Sequence, residues 1–181
     1  MIIEGVVLSI IVGYIRKGRL ANFEHIKIKV WYLIILSQLL QIVAIRLNGY
    51  VIHLDQQVFY SMHVISYVVL FVPLIMNYKM LSMKLFGTGT FLNFIAIAFN
   101  QGQMPVFLPE GVNASFDLGH VLGSAQTRVY WLTDIIPLLK PYPLPKVISV
   151  GDIFLLVGAF LFVQYGMGEK RMVNGVRVSK S

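Results

Sequence analysis

The sequence predicts an all-α polytopic membrane protein. Five transmembrane helices run with the N-terminus outside and the C-terminus inside, under an ordered outer lid. Three observations predict this. Of 181 residues, 57% are hydrophobic and only 13% charged, where a soluble domain carries about 25% charged residues, and the mean hydropathy is +0.74. The apolar residues gather into five runs that are apolar on all sides, not alternating as barrel strands do. Lys and Arg crowd onto alternate connections between those runs. A cytosolic enzyme, a disordered chain and a free nucleic-acid binder are excluded by the same arithmetic. Cysteine is absent, so there is no disulfide, thiol nucleophile or cysteine-bound metal.

The first span covers about 2–15 and is followed by Arg16-Lys17-Gly18-Arg19. A signal peptide places its basic residues first, so this span is expected to be retained. At roughly 21 Å it is short for a hydrocarbon core of roughly 30 Å. The second covers about 30–47, with Trp31 and Tyr32 as an interfacial belt, and Asn48-Gly49 marks a turn. The third covers about 58–77 and contains Pro73, which leaves the Val69 carbonyl unbonded and predicts a kink. The fourth covers about 85–100. The lid, 101–147, holds six of the seven prolines, and the fifth span covers about 148–165 before a basic cytoplasmic tail, 166–181. All of this is one membrane domain.

Orientation follows from the basic residues. All but four of the 15 Lys and Arg residues fall on one side, the exceptions being Arg46, Arg128, Lys140 and Lys146. The richer side is read as cytoplasmic. The net charge of +7 is then an orientation and anionic-lipid signal, with no nucleic-acid partner expected.

Several stretches occur in a recognisable order. Gly18-Arg19-Leu20 and Asn22 precede Trp31. Asn100-Gln101-Gly102-Gln103-Met104-Pro105-Val106 opens the lid. His120-Val121-Leu122, Thr127-Arg128 and Leu132-Thr133-Asp134-Ile135-Ile136-Pro137 follow, and Ser149-Val150-Gly151-Asp152 opens the last span. This ordered set resembles a family of small bacterial integral membrane proteins known only as a domain of unknown function. The resemblance covers nearly the whole chain. It implies a multi-pass protein of the bacterial cytoplasmic membrane and no established activity. One departure is Gln101, where the family's pattern has Asn-Gly-Gly. A Gln there weakens the case that this turn needs a left-handed backbone at the middle position.

Polar residues inside a membrane are functional candidates or interhelical glue. Ser37, Gln38 and Gln41 share one face of span two. His63 and Ser66 share a face of span three, where His63 is either a proton carrier or a neutral imidazole bonded to a neighbouring helix. Asn93 and Asn100, seven apart, share a stripe of span four and either line a polar cavity or pack against Gln38 or Gln41. Asp152 follows Ser149 as a plausible N-cap, and a first-turn carboxylate is favoured by the helix dipole. Alternatively it accepts from a ligand or pairs with Arg128. Glu4 and Arg46 are expected to pair, as ends of neighbouring antiparallel spans.

The lid is too apolar for a loop in water. A short helix is expected from about Ser124 to Thr133, and an extended run from Pro137 to Pro145. His120, Arg128 and Asp134, with Glu110, Asp117, Lys140 and Lys146, are its charged or titratable members. With Asn100 and Asp152 they either converge on one outer site or face headgroups separately. Gly151 and Gly158 are expected to permit close helix approach. Gly87-Thr88-Gly89-Thr90 lacks the strand and Lys of a phosphate loop, His25, His53, His63 and His120 have no ligand spacing, and Asn113-Ala114-Ser115 is a sequon. No metal or other cofactor is expected.

The candidate ligand-binding residues are therefore Asn93, Asn100, His120, Arg128, Asp134 and Asp152. Gln38, Gln41 and His63 are intramembrane polar groups. The favoured function is a non-enzymatic binding or assembly module at the outer leaflet, acting with another membrane protein or a lipid-like ligand. The alternatives are a small transporter or proton-coupled carrier, which five unequal spans without an inverted repeat count against, and a membrane enzyme acting on a lipid or quinone head group.

Overall fold

A computed structural model describes residues 2–47, 54–109, 116–138, 146–168, 170–173 and 176–179. The chain is mostly helical: α1 is Ile2–Ile15, α2 Tyr32–Ile42, α3 Gln56–Met76, α4 Leu81–Phe99 and α5 Val150–Met167. A π-helical turn, Val43–Leu47, extends α2. Helices α3, α4 and α5 are long and apolar enough to cross a membrane, whereas α1 and α2 are apolar but shorter. Only 28% of the apolar window of α3 is buried, and Ile65, Val68, Val72, Phe91 and Val157 face outward. Water would penalise an apolar surface of that extent.

Packing order differs from chain order. The main contacts run α1 on α5, α5 on α4, α4 on α3 and α3 on α2, so the first and last helices are neighbours. Their seam is polar at its centre: buried Ser9 donates to the Phe160 carbonyl (2.9 Å), and the Gln164 amide donates to the Ser9 carbonyl (2.6 Å). Glu4 meets Lys146 at 3.4 Å, and the expected Glu4–Arg46 pair is not described. The Arg46 side chain lies outside the described residues. At the other end of α5, Asn22 donates to the carbonyls of Met167 (2.9 Å) and Gly168 (3.3 Å), and the Arg19 amide also reaches Met167 (3.0 Å). The Gly18–Asn22 stretch thus caps the open C-terminus of α5.

Four helix starts differ from the sequence expectation, those of α2 and α3 by two residues each. α4 begins at Leu81 rather than about 85, because a single lysine, Lys84, is tolerated in a terminal turn when its stem lies along the helix. α5 begins at Val150, and Ile148 belongs to a strand. α3 continues through Pro73, which is fully buried. The Pro73 carbonyl accepts from both the backbone amide (3.1 Å) and the side chain (2.7 Å) of Asn77.

Between α4 and α5 the chain folds as a cap on the helix ends. β1 (Met104–Val106) pairs in parallel with β2 (His120–Leu122), and β3 (Ile136–Leu138) pairs antiparallel with β4 (Lys146–Ile148). Met104 joins Ala96 and Ile97 in a buried cluster flanked by Tyr67 and Leu132, which fastens cap to helices. The expected helix over Ser124–Thr133 is absent. A turn closes from the Thr127 amide to the Ser124 carbonyl (3.1 Å), Val129 takes a left-handed φ of 47°, and only a 3-10 turn, Tyr130–Leu132, remains. A left-handed β-branched residue cannot sit inside an α-helix. The tail forms a hairpin of β5 (Lys170–Val173) and β6 (Val176–Ser179). Asn48-Gly49, His53, Glu110, the sequon at Asn113, and Lys140 with most of the expected extended run lie outside the described residues.

Candidate functional site

Glycines let α4 and α5 touch. A Cβ on Gly151 would strike the Asn93 carboxamide and the Gly89 carbonyl, and one on Gly158 would press on the backbone of Ser82 and Phe86 at 3.2 Å. This closeness lets Asn93 bridge the seam. The Ser149 hydroxyl donates to Asn93 Oδ1 (2.8 Å), while Asn93 Nδ2 donates to Asp152 Oδ1 (3.0 Å). The Asp152 amide donates to Ser149 Oγ (3.0 Å), and the Ser149 amide donates to Asp152 Oδ2 (3.3 Å). Ser149 and Asp152 thus form a capping box at the start of α5. Both carboxylate oxygens of Asp152 are engaged, and the alternative Asp152–Arg128 pair does not form. Asn93 likewise bonds to α5 rather than packing on Gln38 or Gln41.

Asp134 sits in the cap above this seam. Its amide donates to the Pro105 carbonyl (3.0 Å) and its carbonyl accepts from Phe107 (2.8 Å). The residue is 6% exposed, and its Oδ1 has no hydrogen-bond partner among the described residues. Burial, followed by the charge of Asp152, pushes its carboxyl up to about 8. Tyr67 of α3 lies within electrostatic reach of both Asp134 and Asp152.

The remaining polar residues hold the cap in place. Asn100 donates to the Arg128 carbonyl (2.9 Å) and accepts from the Arg128 amide (2.9 Å). The two meet through backbone, and the Arg128 guanidinium stays at the surface. His120 is exposed and its Nδ1 meets Asp117 at 2.6 Å, apart from the seam. His63 is buried and its Nδ1–H donates to the Gly102 carbonyl (2.7 Å), so its partner is the cap and not a neighbouring helix. The turn that presents this carbonyl is left-handed at both Gln101 (φ 58°) and Gly102 (φ 83°). From sequence, Gln101 weakens the case that this turn needs a left-handed middle residue, and the backbone is left-handed there all the same. The Gln101 side chain, accepting from Gln56 (3.0 Å), helps hold it.

A second feature lies among four helices. A cavity of about 430 Å³ is lined by Ile34, Gln38 and Gln41 of α2, Tyr67, Leu70 and Leu74 of α3, Met83, Phe86, Thr90 and Asn93 of α4, and Leu155 and Phe162 of α5, with Ile28 at one end. Ligand pockets typically span about 300–1,000 Å³ and are mostly apolar with a few polar groups. Neither Gln38 nor Gln41 has a side-chain hydrogen bond to the described residues, and Ser37 beside them satisfies itself on the Ile34 carbonyl (2.8 Å). Tyr67 and Thr90 were not singled out from sequence. Their signal was spacing: Tyr67 follows His63 by one turn and Thr90 precedes Asn93 by one.

A model for a family of unknown function (DUF5317) matches residues 25–164. The chain belongs to this family. The family region takes in α2, α3, α4, the cap and most of α5, and so contains every named residue of the α4–α5 seam and of the cavity, while α1 lies outside it. An uncharacterised protein of Thermotoga maritima is 37% identical over 103 residues, which is 54% of this chain and 60% of that relative. No solved structure matches the chain.

Proposed function

We propose that this protein is an integral membrane binding module that holds a lipid-like ligand between its helices. The observation that carries the reading is the cavity among α2, α3, α4 and α5, mostly apolar but furnished with two carboxamides, Gln38 and Gln41, that have no hydrogen-bond partner among the described residues. Polar groups facing an apolar space cost free energy unless something bonds to them. The finer topology belongs to the same proposal. All five apolar helices cross the bacterial cytoplasmic membrane, N-out and C-in, with the cap at the outer leaflet. Its support is the apolar outward face of the bundle and the asymmetry of Lys and Arg.

The test is extraction of the purified protein from mild detergent with organic solvent. The expected result is one amphiphile per chain at a fixed ratio. A Leu155→Trp variant, which fills the cavity, should fold and lose it. A wild-type protein that carries no amphiphile, and gains no thermal stability from any membrane lipid extract, refutes the reading.

One observation favours a second reading, a proton-coupled carrier: the Asp134 carboxyl, pushed up to about 8 by burial and with Oδ1 unbonded among the described residues, lies beside the seam that Asn93 shares with the cavity. Proteoliposomes that show no pH-driven flux across a broad solute panel remove it.

A further inference from the structure

The cavity is polar at one end and apolar at the other. Chain direction shows this without any distance. α3 and α5 start at the cap, whereas α2 and α4 end there. On α2 the capward lining residues are Gln38 and Gln41 and the distal one is Ile34. On α3, Tyr67 is capward of Leu70 and Leu74. On α4, Thr90 and Asn93 are capward of Met83 and Phe86. Every hydrogen-bonding side chain in the lining is therefore in the capward half. The shape asks for an amphiphile with its head toward the cap.

No lining residue is charged. The guanidinium of Arg128 belongs to the surface of the cap, beside Phe99 and Gln101, and does not line this space. Behind Asn93 stands Asp152, whose oxygens are already taken by Asn93 and Ser149. A phosphate or carboxylate head would find no counter-ion and would face that carboxylate. A cationic head would find the Asp152 oxygens already engaged, while Asp134 belongs to the cap and does not line the cavity. Ionic heads lose their hydration on entry and need a paired partner in return. Amides and hydroxyls, by contrast, donate to and accept from a neutral oxygen.

We infer that the cavity selects an amphiphile whose head is an uncharged hydroxyl or carbonyl, bonded by Gln38, Gln41, Tyr67 and Thr90, with its chain directed away from the cap. This rests on the reading of the cavity as a ligand site. The experiment uses the full chain in nanodiscs with three photoreactive hexadecyl probes of equal chain length, an alcohol, a phosphate and an amine, each with the reactive group next to the head. The alcohol should label peptides carrying Tyr67, Thr90 or Asn93 at least tenfold more than the phosphate or amine. Excess hexadecanol, but not hexadecyl phosphate, should compete it away. The double variant Gln38→Leu with Gln41→Leu should cut the labelling at least fivefold. Equal or stronger cavity labelling by the phosphate or the amine overturns the inference and leaves the cavity a ligand site. Labelling of these peptides by none of the probes overturns both.

Discussion

The α4–α5 seam and the α2 wall of the cavity carry the same chemical group in opposite circumstances. In the seam the Asn93 carboxamide receives from Ser149 and donates to Asp152, and glycines on both helices bring the partners within 3.0 Å. On the α2 wall the carboxamides of Gln38 and Gln41 face open space with no described partner. Side-chain amides inside an apolar bundle are thus of two kinds. Where bonds are satisfied within the protein, the group sets helix position. Where they are not, the group is available to something that arrives from outside. Pairing, more than depth or residue type, separates the two.

The sharpest way to break this comparison is to force the seam apart. Gly151→Leu would drive a side chain into the Asn93 carboxamide and the Gly89 carbonyl. Overpacking against backbone costs typically about 1–3 kcal/mol, and the loss here should lie at the upper end because the Ser149–Asn93–Asp152 bonds go with it. Thermal unfolding in detergent measures it. A variant as stable as wild type would mean the glycine contact is not what holds α4 to α5.

Next in size is Asp134. Its carboxyl titrates at about 8 in the fold against 3.8 when free. Between those values the folded chain holds a proton that the unfolded chain has lost. Stability therefore falls as pH rises from about 4 to about 8, by at most about 1.4 kcal/mol per unit. Asp134→Asn should flatten that slope and raise stability at neutral pH by about 1–2 kcal/mol. Unfolding curves across the range give the slope directly, and an unchanged slope in the variant would assign the titration to another group.

These residues also show how far the sequence reaches. The Ser149–Asp152 capping box was legible because it is local: a cap residue and its carboxylate three positions on, ahead of an apolar run. Close approach at Gly151 and Gly158 was legible for a similar reason. The polar stripes on α2 and α4 were found from helical spacing, but spacing does not say which stripe meets which. Asn93 faces α5 instead of Gln38 because α5 inserts between α1 and α4, a long-range fact with no local signature. The same insertion sends Glu4 to Lys146. The environment of Asp134 was equally hidden, since its burial and the lack of a described partner for Oδ1 are properties of the assembled cap. In that cap, strained residues such as Val129 override local propensity.

Gln101 offers a smaller effect in the opposite direction. Its φ of 58° costs an ordinary residue roughly 1–2 kcal/mol, part of which is recovered through the bond from Gln56. Gln101→Gly relieves the strain and loses that exposed bond, so a gain of about 0.5–1 kcal/mol is expected. Chemical unfolding of the two proteins side by side measures it. A loss instead would show that the side-chain bond outweighs the strain.

The smallest expected change in stability is the most informative. Gln38→Leu and Gln41→Leu remove amides that bond to none of the described residues, so each should shift the stability of the ligand-free chain by only about 0.5 kcal/mol or less. The comparable change in the seam, Asn93→Leu, strands Ser149 and one oxygen of Asp152 and should cost about 1–3 kcal/mol. Thermal unfolding of delipidated protein separates the two sites. If the glutamine variants destabilise as much as Asn93→Leu, the α2 wall is held by those amides after all and the distinction between the two regions fails. If they do not, the amides are dispensable to the fold, and what they bond is brought in with the ligand.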